Sequence, residues 1–131
     1  MYNLHYKHGL LYASVTLQHG GESIIVDDVI VDTGAFHTII LTDYLEDLEV
    51  EFEEDDELVK SSGYGGIQLT SVRKKIDKIR IGDISLENTK VDFGIIDPYE
   101  RINGLIGLDF LCSAGVIIDL VDLTIYKKLI G

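Results

Sequence analysis

The tripeptide Asp32-Thr33-Gly34 directly follows an apolar run that is typical of a β-strand, Val29-Ile30-Val31. A carboxylate held at the end of such a strand is a candidate for acid–base chemistry. The alternative is structural: an aspartate that ends a strand in an Asx-turn, with Gly34 in a left-handed conformation. The tripeptide alone leaves both interpretations open.

Further motifs follow the tripeptide along the chain. Ala35 and Thr38 extend it to the pattern D-T-G-A-x-x-T, and the glycine-rich segment Gly63-Tyr64-Gly65-Gly66 lies between two extended stretches. Leu105-Ile106-Gly107, two apolar residues and a glycine, lies near the C-terminus. In this order the motifs resemble the retropepsin-like (retroviral-type) aspartic proteases, over a stretch from about Leu11 to Tyr126.

This resemblance implies an all-β fold: a closed β-barrel half-lobe with one or two short helices, paired with a second copy as a twofold-symmetric homodimer. It also implies an aspartic endopeptidase, in which a water is activated between two carboxylates that share one proton. The chain contains one Asp-Thr-Gly, so the second carboxylate would be Asp32 of another copy. No cofactor is expected, and the expected partners are that copy and a protein or peptide substrate.

The resemblance also assigns roles to individual residues. The Thr33 hydroxyl would hydrogen-bond to the partner's Asp loop, and Gly34 would let the backbone approach the substrate. Tyr64 would cover the scissile bond; alternatively it is an exposed aromatic residue at a loop tip. The segment expected to close over the substrate as a flap is Gly63, Tyr64, Gly65 and Gly66. The residues expected to support the Asp loop are Ala35, Leu105, Ile106 and Gly107.

Two other functions are compatible with the same sequence. The chain could use this fold to hold a peptide without cutting it, as a non-catalytic binding or dimerisation module. It could also be a monomeric β domain in which Asp32 only ends a strand.

The size and charge of the chain restrict its partners. Its 131 residues suit a single domain, residues 1–131, and the formal net charge is −12. This charge argues against binding to nucleic acid or to an anionic membrane surface. Ten of the 23 acidic residues lie between Asp43 and Glu57, a segment without any basic residue, so the rest of the chain is nearly neutral.

That acidic segment, residues 43–57, is expected to be a solvated, mobile loop after a short helix. It lacks the alternating oxygen ligands and the central glycine of a calcium-binding loop. Whether it lies over a substrate groove and attracts basic peptides is left open.

The composition also indicates the cellular compartment. The chain shows no basic stretch followed by an apolar one at its start, and no apolar run approaches the ~20 residues of a membrane span. We therefore expect a cytoplasmic protein. Cys112, the one cysteine, cannot form an internal disulfide and is expected to be a small apolar filler. The histidines His5, His8 and His19 have no clustered cysteines, so no metal site is expected.

Hydrophobic periodicity predicts many short strands with one or two small helices, which indicates an all-β barrel-like domain. The period-2 run from Leu11 to Gln18 and the turn His19-Gly20-Gly21-Glu22 predict a hairpin. A bend is predicted at Asp27-Asp28 and a turn at Glu87-Asn88-Thr89. Strands are also expected around Ile76–Ile81, Ile84–Leu86, Val91–Ile96, Val116–Ile118 and Thr124–Tyr126.

One predicted helix begins at Thr42 or Asp43 and ends at Leu48, with Glu46 completing a capping box if Asp43 is the cap. The other covers Leu108–Ala114. We expect Asp109 to cap this second helix; the alternative is an ion pair near the Asp loop. His37 is expected to lie at the surface or in an interface.

Overall fold

The computed structural model describes residues 1–62, 68–97 and 102–129. Strands dominate this part of the chain, and neither of its two short helices is long and apolar enough to cross a membrane. The helices are α1 (Asp43–Asp47) and α2 (Leu108–Ala114). The strands are β1 (Tyr2–Asn3), β2 (His5–Lys7), β3 (Leu10–His19), β4 (Glu22–Val31), β5 (Ile39–Leu41), β6 (Glu57–Ser62), β7 (Gln68–Ile81), β8 (Ile84–Gly94), β9 (Gly104–Ile106), β10 (Val116–Asp119) and β11 (Thr124–Lys127).

The predicted β3–β4 hairpin is confirmed. Ala13, Val15 and Leu17 point into the core, as the period-2 pattern requires. The two-residue turn has Gly20 at φ 57° and Gly21 at φ 86°, the left-handed conformations that a tight hairpin turn needs and that glycine adopts at little cost.

The larger sheet contains eight strands in the order β2-β3-β4-β9-β5-β8-β7-β6, and β3 also pairs with β7. In that additional pairing, Thr16, Leu17 and Gln18 lie opposite Arg80, Ile79 and Lys78. The smaller sheet has the order β1-β11-β10 and joins the two ends of the chain. The long strands β7 and β8 form the most extensive pairing, and the β6–β7 hairpin extends one end of the larger sheet.

The core lies between these strands and α2. Its largest fully buried side chains come from six strands and both helices, and burying each contributes about 1.5–3 kcal/mol. They are Leu17, Ile40, Leu45, Leu48, Ile76, Ile79, Ile81, Ile84, Phe93, Ile106, Phe110 and Ile125. The predicted helix Leu108–Ala114 is confirmed, and it packs against the core through Phe110, Leu111 and Ala114.

Two predicted interruptions are not breaks. Asp27 and Asp28 lie within the continuous strand β4, where the register against β3 shifts between Ala13 and Val15. Asp28, at φ 53°, accommodates this β-bulge. The bend predicted at Asp27-Asp28 is therefore present inside the strand. The turn predicted at Glu87-Asn88-Thr89 is wrong, because β8 continues through it with Asn88 at φ 52°. Aspartate and asparagine adopt positive φ more readily than most residues, which lets each strand bend without ending.

The predicted capping box of α1 is absent. Thr42 is the N-cap, but its backbone is helical (φ −53°, ψ −33°) and its side chain makes no capping hydrogen bond. The helix begins instead with a backbone hydrogen bond from the Leu45 amide to the Thr42 carbonyl, at 2.9 Å.

Candidate active site

The Asp32 loop, residues 32–38, connects β4 to β5, and β9 lies between these two strands. β9 runs parallel to β4, with Val31 opposite Ile106, and antiparallel to β5, with Ile39 opposite Leu105. The Asp32 amide continues this pairing by donating to the Ile106 carbonyl at 2.9 Å. Leu105 and Ile106, both singled out in the sequence, therefore lie beside the start of the loop.

Within the loop, Asp32 organises a tight turn around its own carboxylate. The Gly34 amide donates to Asp32 Oδ1 at 2.8 Å, and the Ala35 amide donates to the Asp32 carbonyl at 3.2 Å. The Asx-turn at Asp32 that the sequence suggested as an alternative to a catalytic role is thus present. Gly34, however, does not have the left-handed conformation predicted with it. Asp32 is half-buried, whereas Thr33 and Gly34 are exposed, so the carboxylate is held in place and remains accessible.

Gly107 brings the start of α2 directly against the loop. A Cβ at this position would lie 2.8 Å from the Phe36 carbonyl oxygen and 2.9 Å from that of Ala35. Because no side chain is present, the Leu108 amide reaches the Ala35 carbonyl and the Asp109 amide reaches that of Phe36, both at 2.9 Å. The loop residue Ala35 and the Leu105-Ile106-Gly107 motif are therefore brought together.

Thr38 and Asp109 form a second link between the loop and α2. The Thr38 hydroxyl donates to Asp109 Oδ1 at 2.6 Å, and the Thr38 amide lies 3.0 and 2.9 Å from the two carboxylate oxygens. The Thr38 hydroxyl oxygen also accepts from the Gly107 amide at 3.1 Å. Asp109 is not the N-cap of α2, which is Gly107 without a side-chain hydrogen bond. The expected capping is present in part, because Asp109 Oδ1 accepts from the Phe110 amide in the first turn at 2.7 Å while the same carboxylate holds Thr38.

A charged cluster that the sequence analysis missed lies beside the loop. Arg73 on β7 donates twice to Asp92 on β8, with Nε 2.7 Å from Oδ1 and Nη2 3.1 Å from Oδ2. The Asp92 side chain is only 5% exposed and that of Arg73 16%. The hydrogen bonds to Asp92 raise the pKa of Arg73, although burial opposes this. The sequence did contain an indication of this buried ion pair, because Asp92 is the one charged residue in the apolar stretch Val91–Ile96.

His37 lies at the edge of the same cluster and is exposed, in line with the expected surface position. Its Nδ1 is 3.3 Å from Arg73 Nη2 and 4.0 Å from Asp109 Oδ2. Arginine can donate to Nδ1 only when that nitrogen carries no proton, whereas the contact with Asp109 is an ion pair only when the ring is protonated. The ring of the exposed Phe36 meets the His37 ring edge-on, with centroids 4.5 Å apart.

The acidic segment is partly anchored, so the prediction of a solvated loop is wrong for Asp56. Lys74 Nζ donates to Asp56 Oδ1 at 2.5 Å and to the Glu51 carbonyl at 2.9 Å, and the side chains of Lys74 and Asp56 are 11% and 10% exposed. The Glu53 amide donates to Asp56 Oδ2 at 2.7 Å. This hydrogen bond, followed by the one from Lys74, lowers the pKa of Asp56.

Among the described residues, one group has carboxylates close enough to hold a metal ion. Oxygens of Glu53, Asp55 and Asp56 lie within 4.8 Å of one another. Lys74 already compensates the charge of Asp56, and exposed acidic groups of this kind are common on surfaces. This cluster alone therefore does not indicate a metal site.

Two further sequence predictions have different outcomes. Gly63, Tyr64, Gly65 and Gly66, the expected flap, lie outside the described residues, although the extended stretches predicted on both sides are present as β6 and β7. The prediction that Cys112 fills apolar space is wrong, because Cys112 is exposed on α2. The buried face of that helix is occupied by Phe110, Leu111 and Ala114.

Comparison with known proteins shows the family to which the chain belongs. A sequence model of the aspartyl protease family matches residues 15–110, which include the whole Asp32 loop and the Leu105-Ile106-Gly107 motif. The chain therefore belongs to the aspartyl protease family.

Its fold is retropepsin-like. The fold is similar to the crystal structure of a retropepsin-like aspartic protease from Rickettsia conorii, with a TM-score of 0.63, 20% sequence identity and 92% of each chain covered. A search of curated proteins finds no match.

Proposed function

We propose that this chain is one half of an aspartic endopeptidase, in which two identical chains bring their Asp32 carboxylates together around a twofold axis. The observation that carries this proposal is the Asp32 carboxylate itself. Asp32 is half-buried, its carboxylate accepts from the Gly34 amide, and its own amide donates to the Ile106 carbonyl. The chain belongs to the aspartyl protease family, so a carboxylate held in this way supports a catalytic role for Asp32. Because the chain has a single Asp-Thr-Gly, the second carboxylate of the site would come from a second copy.

The chemistry explains why one carboxylate is not enough. Two carboxyl groups about 3 Å apart cannot both ionise, so the pair shares one proton. The ionised carboxylate takes a proton from water while the water oxygen attacks the peptide carbonyl carbon, and the protonated carboxyl donates its proton to the carbonyl oxygen. The tetrahedral intermediate then loses its C–N bond as a proton passes to the nitrogen. Each group alternates between acid and base, which a lone Asp32 cannot do.

The strand pairings support a closed barrel as the framework of this half-site. We propose that β3, β4, β9, β5, β8 and β7 close on themselves through the β3–β7 pairing. In a closed barrel these six strands have no free edge, so the strand that follows Asp32 and the strand that precedes α2 are held on both sides. Such a framework would keep the Asp32 carboxylate in a fixed position for its partner.

The remaining sequence motifs take supporting roles in the proposed enzyme. The exposed Thr33 would hydrogen-bond to the partner's loop, and the exposed Gly34 would let a peptide backbone approach Asp32. Leu105 and Ile106 on β9, with Gly107 after them, would support the loop around Ala35. The β6–β7 hairpin would close over the peptide with the tip residues Gly63, Tyr64, Gly65 and Gly66.

Cleavage of a peptide library between pH 4 and 7 tests the proposal, with wild type compared to Asp32→Asn. Asparagine still offers Oδ1 to the Gly34 amide, so we expect the variant to fold and to lose cleavage. Asp83→Asn, at an exposed residue of the β7–β8 turn, is the matched control and should cleave like wild type. Undiminished cleavage by Asp32→Asn would refute the proposal. Binding of extended peptides by wild type without turnover would refute it in favour of a non-catalytic module.

A further inference from the structure

Arg73 contacts side chains from three different parts of the molecule: β6, β8 and the Asp32 loop. In the sheet register, Arg73 on β7 lies opposite Glu57 on β6 and opposite Asp92 on β8. Its guanidinium holds Asp92 with two hydrogen bonds, and Nη1 lies 3.7 Å from Glu57 Oε1. Nη2, which also donates to Asp92, lies 3.3 Å from Nδ1 of His37 in the Asp32 loop.

Asp92 carries this connection into the loop itself. Its amide donates to the Thr38 carbonyl at 3.1 Å, and Asp92 lies opposite Ile39 where β8 runs parallel to β5. One ion pair therefore links the base of the β6–β7 hairpin to residues 37–39, where the Asp32 loop ends and β5 begins. The bidentate geometry restricts the relative orientation of the two parts, which a single point contact would not do.

We infer that Arg73, held by Asp92, is a positioning residue that aligns the β6–β7 hairpin with the Asp32 loop, so that a bound peptide meets the catalytic carboxylates in a productive orientation. This inference rests on the proposed function. Arg73 makes none of the hydrogen bonds that hold Asp32 itself, which come from Gly34, Ala35 and Ile106. Its loss should therefore weaken productive peptide binding more than it slows the chemical step.

The test uses a double variant because removing one partner would leave a buried charge uncompensated. Arg73→Gln with Asp92→Asn replaces the ion pair with two amides that can hydrogen-bond to each other. We expect kcat/KM to fall about ten- to a hundred-fold, mainly through KM. Arg73→Lys keeps the charge but cannot make the bidentate contact, so it should give an intermediate loss.

A matched control is available at the same hairpin base. Lys74 and Asp56 form a similarly shielded ion pair that contacts the acidic segment and not the Asp32 loop. Lys74→Gln with Asp56→Asn should lower stability without changing KM. Unchanged KM and kcat in the Arg73/Asp92 double variant, with only a lower melting temperature, would overturn the inference.

Hydrogen–deuterium exchange gives a second readout that does not depend on activity. In the Arg73/Asp92 variant, exchange should rise together in β6 and at the Gly34, Ala35 and Thr38 amides. In the Lys74/Asp56 control, the rise should be confined to residues 51–57. If wild type does not cleave peptides, the proposed function fails. The exchange measurement still shows whether Arg73 and Asp92 couple the β6–β7 hairpin to the Asp32 loop. Unchanged exchange at the loop amides of the Arg73/Asp92 variant would refute it.

Discussion

Thr38 and Asp109 are 71 residues apart in the chain, yet the Thr38 hydroxyl donates to the Asp109 carboxylate at 2.6 Å and the Thr38 amide donates to the same group. Thr38 is 1% exposed, and its hydroxyl also accepts from the Gly107 amide. The last residue of the D-T-G-A-x-x-T pattern therefore holds the first turn of α2. These contacts hold the D-T-G-A-x-x-T motif against Gly107 of the Leu105-Ile106-Gly107 motif.

Thr38→Val tests the strength of this joint. The substitution removes the hydroxyl while keeping the side-chain shape, which leaves the buried Gly107 amide without its acceptor. We expect a loss of about 1–3 kcal/mol in the free energy of unfolding, measured by urea denaturation at pH 7. Thr42→Val is the matched control, because the Thr42 hydroxyl does not cap α1, and it should cost less than about 0.5 kcal/mol. Equal losses in the two variants would contradict the account.

Gly107→Ala tests the close approach of α2 to the Asp32 loop. The added methyl group would meet the backbone of Ala35, Phe36 and His37 at 2.8–2.9 Å, so the backbone must shift. We expect a destabilisation of about 1–3 kcal/mol together with reduced peptide cleavage. Gly115→Ala provides the comparison: its Cβ meets nothing, and only its left-handed backbone (φ 64°) costs about 1 kcal/mol. Full cleavage by Gly107→Ala would show that this packing does not position Asp32.

Asp56→Asn tests the anchoring of the acidic segment through its pH dependence. The Glu53 amide and Lys74 lower the pKa of Asp56, so its contribution to stability is present above the ordinary carboxylate pKa of about 3.9. That contribution is lost as the pH falls through the lower pKa of the folded state. We therefore expect the variant to be less stable than wild type at pH 7.

The difference in urea midpoint between wild type and Asp56→Asn should then shrink as the pH falls below about 4. Asp55→Asn, at the exposed neighbouring residue, serves as the control and should show no such convergence. A difference for Asp56→Asn that stays constant from pH 7 to pH 3 would contradict the anchoring by Lys74 and Glu53.

Local patterns in the sequence were sufficient to predict several elements of the fold. The alternation of Ala13, Val15 and Leu17 and the pair Gly20-Gly21 predicted the β3–β4 hairpin, because side-chain period and turn geometry are properties of neighbouring residues. The extent of α2 was predicted for the same reason. The turn predicted around Asn88 failed because polar residues that favour turns can also occupy positive φ inside a paired strand.

The contacts that hold the Asp32 loop could not be predicted in the same way. Arg73 meets Asp92 because β7 and β8 pair in one register, and Asp109 meets Thr38 because β9 is inserted between β4 and β5. Neither sheet order nor register can be read from local periodicity. The sequence therefore pointed to Asp32 and Gly107, and the three-dimensional arrangement was needed to identify the side chains around them.

Mixing wild type with Asp32→Asn tests most directly whether two chains share one catalytic site. Random pairing makes half of the wild-type chains in an equimolar mixture bind an inactive partner, so activity per wild-type chain should fall to about half. A nine-fold excess of the variant should reduce it to about a tenth. An equal mass of serum albumin, added instead, should have no effect. Activity per wild-type chain that stays constant at every ratio would contradict a site built from Asp32 of two chains.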